Sequence, residues 1–257
     1  SMDDLKKPIV SLLKSLDVQT MAKGADVLTL QDVLTMSSGI QISEEQTEHY
    51  RNHASQYQGR ALAQAYLNDT APIMDNAQSF NYQGQNPDLV MQILDEVVPG
   101  PADMFIKREL FGKLGIVNFD WRQDRSGLPS SGSGASVTAR DMVKVGQLIM
   151  NKGQWQDQQL ISPDYIRQAV QQSVTLTAEQ AQNFYTGKSL SEPGYGYFWW
   201  HTVMKVGDKQ LVAKSAQGGG GITIIVIEDL DLVVVVTAHS SQAFLQLVAE
   251  RVLPLFI

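Results

Sequence analysis

"KSAQGGGGITIIVIEDLDLVVVVT", residues 214–237, decides the fold. Two apolar runs, "GITIIVIED" and "DLVVVVTAHS", stand on either side of "EDLD". Upstream, "GYGYFWWHTVMKV" and "QLVAKSA" have the same β-branched and aromatic texture and are joined by "GDK". Such short connections predict antiparallel pairing, because parallel strands need a crossover of about a dozen residues or more. The reading is a four-stranded meander, closed by a terminal helix over "SQAFLQLVAERVLPLF". "VVVV" is apolar at every position, so both of its faces must be covered, and the terminal helix can cover only one. The four glycines, 218–221, are not a phosphate loop: that needs glycines after a strand and before a helix, with G-K-[ST] following. Two readings of them remain, the lip of a substrate groove or a flexible hairpin loop.

Residues 1–190 read as mainly helical, and 191–257 as the meander with its helix. "DDLKKPIVSLLKSL" reads as a turn and a short helix, with Asp3 or Asp4 as cap and Ile9, Leu12, Leu13 and Leu16 on one face. Thr29 caps a helix carrying Val33, Leu34 and Met36, which Gly39 stops. "GRALAQAYLND" is the most helical piece of 44–70, and another helix runs from about Pro87 to Val98. "PADMFIKRELFGKLGI" follows and closes at Gly115. Thr138 caps a helix running to Asn151, with Gly153 beyond it, and Ser162 caps the next with Pro163 in its first turn.

The composition excludes several functions. At 257 residues the chain is long enough for a sizeable core, and a net charge of −7 offers no basic footprint for nucleic acid. There is no cysteine, hence neither a disulfide frame nor thiol chemistry. No apolar run approaches the roughly 18 residues of a membrane span. His49 and His53 are spaced to share a helix face, but "YRN" between them lacks the Glu of a zinc-protease helix. No metal or other cofactor is expected.

"LTLQDVLTMSSGI", "FNYQGQN", "SGASVTARDMVKVGQLIMNKGQW", "PGYGYFWW" and "AQGGGGITIIVIEDLDLVVVVT" follow one another along the chain. As an ordered set they resemble the β-lactamase-related serine hydrolases, the family of class C β-lactamases, DD-peptidases and esterase-like enzymes. The resemblance implies an α+β fold, with an antiparallel sheet packed by helices beside a helical lobe. It also implies acyl transfer: a Ser of an S-x-x-K helix attacks an ester or amide, and backbone N–H groups hold the oxyanion. The substrate would be a small-molecule ester or amide, or a peptidoglycan-like one, with carboxylester or amide cleavage favoured over β-lactam cleavage.

Carried over by residue, Tyr82 matches the family's catalytic tyrosine and general base. Its phenol, ordinarily titrating near 10, needs cationic neighbours for that role. Asn86 matches the supporting second Asn, whereas Gly84 stands where the first, substrate-contacting Asn is expected. Ala216, Gln217 and Gly218 fall on the family's K-T-G triad without its Lys. Gly219 is then the oxyanion N–H donor, and Gln217 and Gly218 border the substrate. An alternative register, Lys214-Ser215-Ala216, needs a shift of two residues. Ser11 and Lys14 fit S-x-x-K literally, and their spacing would put both on one helix face. Yet "MDDLKKPIVSLLKSL" is similar to the segment that follows the catalytic helix in relatives. The resemblance therefore implies an N-terminally truncated piece without the Ser/Lys helix, inactive alone, its sheet incomplete at the N-terminal side. A periplasmic or secreted location is slightly favoured. A second reading is a non-catalytic binding or regulatory member that keeps the groove.

Overall fold

A computed structural model describes residues 2–74, 78–182, 187–240 and 244–257. The chain divides into two compact units, Ser1–Lys113 with Phe119–Ser136, and Leu114–Asn118 with Val137–Ile257. Compactness thus parts the chain near residue 137, and the helices that follow group with the meander rather than with the preceding helices.

The first unit is helical. It contains α1 (Ile9–Leu12), α2 (Leu30–Leu34), α3 (Glu44–Asn52), α4 (Ala61–Asp69), α5 (Gln85–Val97) and α6 (Ala102–Ile106), which continues as a π turn over Lys107–Phe111. A two-stranded ribbon, β1 (Phe119–Trp121) and β2 (Ala135–Val137), leads out of it. Ile9, Leu13, Leu28, Val33, Leu67 and Leu89 are fully buried in its core. Each such side chain contributes about 1.5–3 kcal/mol by leaving water. The Thr29 cap is where the sequence puts it. Thr29 accepts from the Asp32 N–H while Asp32 accepts from the Thr29 N–H, and Ser43 and Gln46 form the same reciprocal box on α3. The aspartate cap expected for α1 is absent: Pro8 is its N-cap, and Asp4 instead accepts a hydrogen bond from Lys7 Nζ at 2.6 Å.

In the second unit, α7 (Ala139–Met150), the hairpin β3 (Gln154–Trp155) and β4 (Gln158–Gln159), and α8 (Pro163–Val170) precede the sheet. The sheet has six strands among the described residues, not four. These are β5 (Val174–Thr175), β6 (Leu190–Tyr195), β7 (Trp200–Val206), β8 (Lys209–Gly218), β9 (Ile222–Ile227) and β10 (Leu232–Val236), in the spatial order β10-β9-β8-β7-β6-β5. A short helix, α9 (Ala178–Ala181), lies between β5 and β6 in the chain. "GYGYFWWHTVMKV", read from sequence as one run, is a hairpin. The Gly196 N–H donates to the Trp199 carbonyl at 2.7 Å, and Phe198 takes φ +60°. A bulky residue rarely adopts that region, so nothing in the sequence marks the turn.

Both faces of β9 and β10 are covered. Ile225, Ile227 and Val234 pack on α10 (Phe244–Leu247) and the π and 3-10 turns that extend it to Leu255. Residues 241–243, where that helix was expected to begin, lie outside the described residues. Ile224, Val226, Val233 and Val235 pack on Met142, Ile149, Ile166 and Val170 of α7 and α8. The second face therefore finds its cover in α7 and α8, helices that the sequence reading had assigned to the helical lobe. Gly146 makes the close approach possible, since a Cβ there would collide with Val233 and stand 3.1 Å from Ile224 Cγ2.

Candidate active site

Tyr82 lies just ahead of α5, in a segment held by the end of α2. That helix closes in a Schellman turn: the Ser37 N–H donates to the Asp32 carbonyl at 2.8 Å and the Met36 N–H to Val33 at 3.2 Å. Met36 takes the left-handed position, φ +56°, which the sequence reading gave no sign of. Gly39, expected to stop the helix, comes three residues later at φ +73° and bends the chain onward. The Met36 carbonyl accepts the Asn81 N–H at 2.8 Å, and Gln83 Nε2 donates to the Ile40 carbonyl at 2.9 Å. Tyr82 is thus held from both sides, by the backbone of Asn81 and the side chain of Gln83.

The Tyr82 residue is 41% exposed, yet the protein around its phenol pushes the hydroxyl above its usual value by desolvation. Burial alone favours the protonated phenol, so a base at this position needs a cation to counter it. Asn86 is fully buried in the first turn of α5. Its Nδ2 donates to Met36 Sδ at 3.4 Å, and its Oδ1 has no hydrogen-bond partner among the described residues. Gly84 is the N-cap of α5, with φ −70°, and a Cβ there would meet nothing within 4 Å. Neither its backbone nor its surroundings require glycine.

Ser11 and Lys14 do not share a helix face. The helix ends at Leu12, Leu13 turns away with ψ 80°, and Lys14 lies beyond it on the surface. The Ser11 hydroxyl donates to the Pro8 carbonyl at 2.7 Å, and the side chain is exposed.

In the second unit the glycine run is the hairpin between β8 and β9. Gln217 pairs with Thr223 and Gly218 with Ile222, so Gly219, one residue past the ladder, leaves its N–H uncommitted to strand pairing. Gly220 and Gly221 take φ +79° and +86°, and a Cβ on Gly221 would collide with Phe244. The last two glycines are required by the turn, whereas Gly218 and Gly219 have room for a side chain. β8 is an inner strand flanked by β7 and β9, not the edge of the sheet, and it delivers the Ala216–Gly219 end to the turn. Gln217 Nε2 donates to the buried Ser215 Oγ at 3.1 Å. Lys214, the cation of the alternative register, is ion-paired with Glu228 at 2.6 Å. Trp200 pairs with Ser215, and the Gly196–Trp199 turn therefore lies at the same end of the sheet as residues 216–219.

The beta-lactamase family profile matches residues 4–253. The chain belongs to the beta-lactamase family. No match was found among curated protein sequences. In fold this beta-lactamase-family chain is similar to simvastatin synthase (LovD) from Aspergillus terreus, with 14% identity and a TM-score of 0.67, covering 95% of this chain and 74% of that one. It is similar to a D-stereospecific amidohydrolase from Streptomyces sp., with 14% identity and a TM-score of 0.66, covering 97% of this chain and 79% of that one. An octameric penicillin-binding protein homologue from Pyrococcus abyssi, 17% identical with a TM-score of 0.62, is covered over 56% of its length by 92% of this chain. Another solved structure is covered over 61% of its length. The chain therefore spans less than two thirds of those two proteins.

Membership of this serine-hydrolase family fits the ordered motifs and the α+β fold. Among the described residues no three His, Cys, Asp or Glu side chains are grouped to hold a metal, and no helix is long and apolar enough to cross a membrane. Sequence reasoning missed the part played by Met36, whose carbonyl and sulfur hold the segment around Tyr82. A methionine in the left-handed region leaves no mark in a residue pattern.

Proposed function

We propose that this chain supplies the tyrosine and the oxyanion strand of an acyl-transfer site that hydrolyses a small ester or amide through an acyl-serine. Tyr82 is the base, supported by Asn86, and the Gly219 N–H faces the developing oxyanion. Gln217, Gly218 and Gly84 border the substrate. The observation that carries this reading is the anchoring of the Tyr82 segment to Met36 in a chain whose family is shown. The name of one fold relative, an amidohydrolase, agrees with cleavage of an amide. An Asn side chain is missing at Gly84 and a Lys at Ala216, which argues against penicillin-like recognition.

The chain alone is inactive in this reading. Its sole Ser-x-x-Lys is Ser11–Lys14, which the helix end at Leu12 separates. Incubation with p-nitrophenyl esters and a fluorophosphonate probe should give neither turnover nor labelling, and stoichiometric labelling of Ser11 would overturn the proposal of an absent nucleophile. In a longer chain that brings its own Ser-x-x-Lys helix, ester hydrolysis should appear, and Tyr82→Phe should lower kcat by about a hundredfold or more. A non-catalytic binding member is the second reading, favoured by Gly84. It predicts saturable binding of an ester analogue, with no hydrolysis in the longer chain.

A further inference from the structure

His49 and His53 belong neither to the core nor to the acyl-transfer reading, yet their rings are held in a definite arrangement. α3 is fixed at its start by the Ser43–Gln46 box and on its inner face by Tyr50, which is buried and donates to Asp69 Oδ2 at 2.8 Å. His49 is exposed on the helix, and His53, also exposed, is its C-cap one turn on, ahead of a 3-10 turn over Ala54–Tyr57. The two imidazoles stack with centroids 4.2 Å apart and planes at 29°. Tyr57 meets both Tyr50 and His49 edge-on, at 4.8 Å and 6.2 Å between centroids, so the turn and the helix are packed together. His53 Nδ1 lies 3.0 Å from the His49 carbonyl, which can only accept. In the neutral ring Nδ1 therefore carries the hydrogen, and Nε2 is the nitrogen with a lone pair.

We propose that His49 and His53 together bind one divalent transition-metal ion, copper(II) most tightly, through one nitrogen of each ring. A hydrogen bond from the other ring nitrogen to a backbone carbonyl is what fixes the tautomer and orientation of metal-bound histidines, and His53 has it already. With metal–nitrogen bonds of about 2.0–2.1 Å, two imidazoles on one ion place their ligating nitrogens about 3–3.5 Å apart. Rings stacked as closely as these reach that separation by small rotations. The pair also lies at the C-terminal end of α3, where the unsatisfied carbonyls carry the negative end of the helix dipole and favour a cation. Glu45, one turn before His49, adds negative charge to the same face. Among the described residues no third His, Cys, Asp or Glu completes the group. Two protein ligands with water in the remaining positions make an open, exchangeable site, unlike a closed four-ligand structural one. Imidazole suits copper, nickel and zinc, with copper(II) highest in the divalent series, whereas magnesium and calcium seek oxygen. An ion bridging the helix to its cap staples the last turn of α3. The inference rests on α3 and the turn after it, and is independent of the acyl-transfer reading.

Calorimetric titration of the intact chain with copper(II) chloride should show one saturable site, zinc chloride a weaker one at the same place, and magnesium chloride none. His49→Gln and His53→Gln should each weaken copper binding about a hundredfold, the loss expected when two tethered ligands become one. The double variant should fall little further. Both side chains are exposed, so the metal-free variants should still fold, with melts close to the parent's. His239→Gln, which removes another exposed imidazole, should leave copper binding unchanged. The unpaired electron of copper(II) should broaden the amide signals of residues 45–57 before any others. Copper should raise the melting temperature of the parent and not of the double variant, because a ligand held only by the folded state stabilises it. The absence of saturable copper binding overturns the proposal. So does binding that survives either single variant, broadening that begins elsewhere, or an equal response to magnesium.

Discussion

A Cβ placed on Gly146 would collide with the Val233 side chain and crowd Ile224, and that one position sets how closely α7 lies on the sheet. Alanine would improve helix propensity by about 1 kcal/mol, but overpacking a filled interface costs about 1–3 kcal/mol. Gly146→Ala should therefore lose stability on balance, and Gly146→Val should lose more, by about 2–3 kcal/mol, in urea unfolding. A more stable alanine variant would mean that α7 can slide outward at no cost. Gly84 gives the opposite expectation. Its φ is ordinary and its surroundings are open, and asparagine is a better N-cap than glycine by a few tenths of a kcal/mol. Gly84→Asn should fold with equal or slightly higher stability by thermal melting. At this scale Tyr82, Asn86 and Gly219 are candidates that spacing and resemblance propose. The roles of Met36 and Phe198 escape both, because only backbone conformation shows them.

Hydroxyl caps and several helix ends were legible, but the residue that takes the left-handed turn at a helix end was not. Thr29, Thr138 and Ser162 cap α2, α7 and α8 as the sequence indicates, because a hydroxyl three residues before an N–H acts locally. At the other end, α7 closes with the Gly153 N–H donating to Leu148 at 2.8 Å and the Lys152 N–H to Ile149 at 3.0 Å. The left-handed residue of this Schellman turn is Lys152, φ +52°, one place before the glycine that the sequence reading put beyond the helix. Gly153 follows at φ +86°, and a Cβ on it would collide with the Ile161 carbonyl, so that glycine serves both the backbone and close packing. Lys152 is exposed and bears its strain without visible return. Lys152→Gly should raise stability by about 1 kcal/mol, the cost of holding a side chain in the left-handed region. An unchanged or lower melting temperature would show that the lysine stem packs usefully on its surroundings. The same kind of left-handed residue, Phe198, hid the β6–β7 hairpin and so one strand; the other strand missed is β5, only two residues long, while the antiparallel sense of the pairing was right.

Across the whole molecule the two units should answer acid differently. In the second unit, Lys144 donates to Asp141 at 2.8 Å and the Thr138 hydroxyl at 2.7 Å, and these bonds hold the carboxyl below its usual range. A depressed carboxylate stabilises the fold above its unfolded value, near 3.9, and that stability is lost as pH falls through the folded value. In the first unit, burial raises Asp88 above its usual range. Hydrogen bonds from Ser131 and Tyr66 oppose this rise, and among the flanking charges Asp124 adds to it while Arg125 reduces it. The sign there is reversed: the folded state prefers the protonated acid, so stability is lost as pH rises through the folded value and regained on acidification. Lowering the pH from neutral toward about 4 should therefore preserve or improve protection of amides in α5, after correction for intrinsic exchange. Protection in α7 should hold down to about 4 and fall below it. Asp88→Asn should remove the first trend without affecting the second, and Asp141→Asn should do the reverse. If both units instead lose protection together, and neither variant separates them, the two carboxylates are not what sets the acid response.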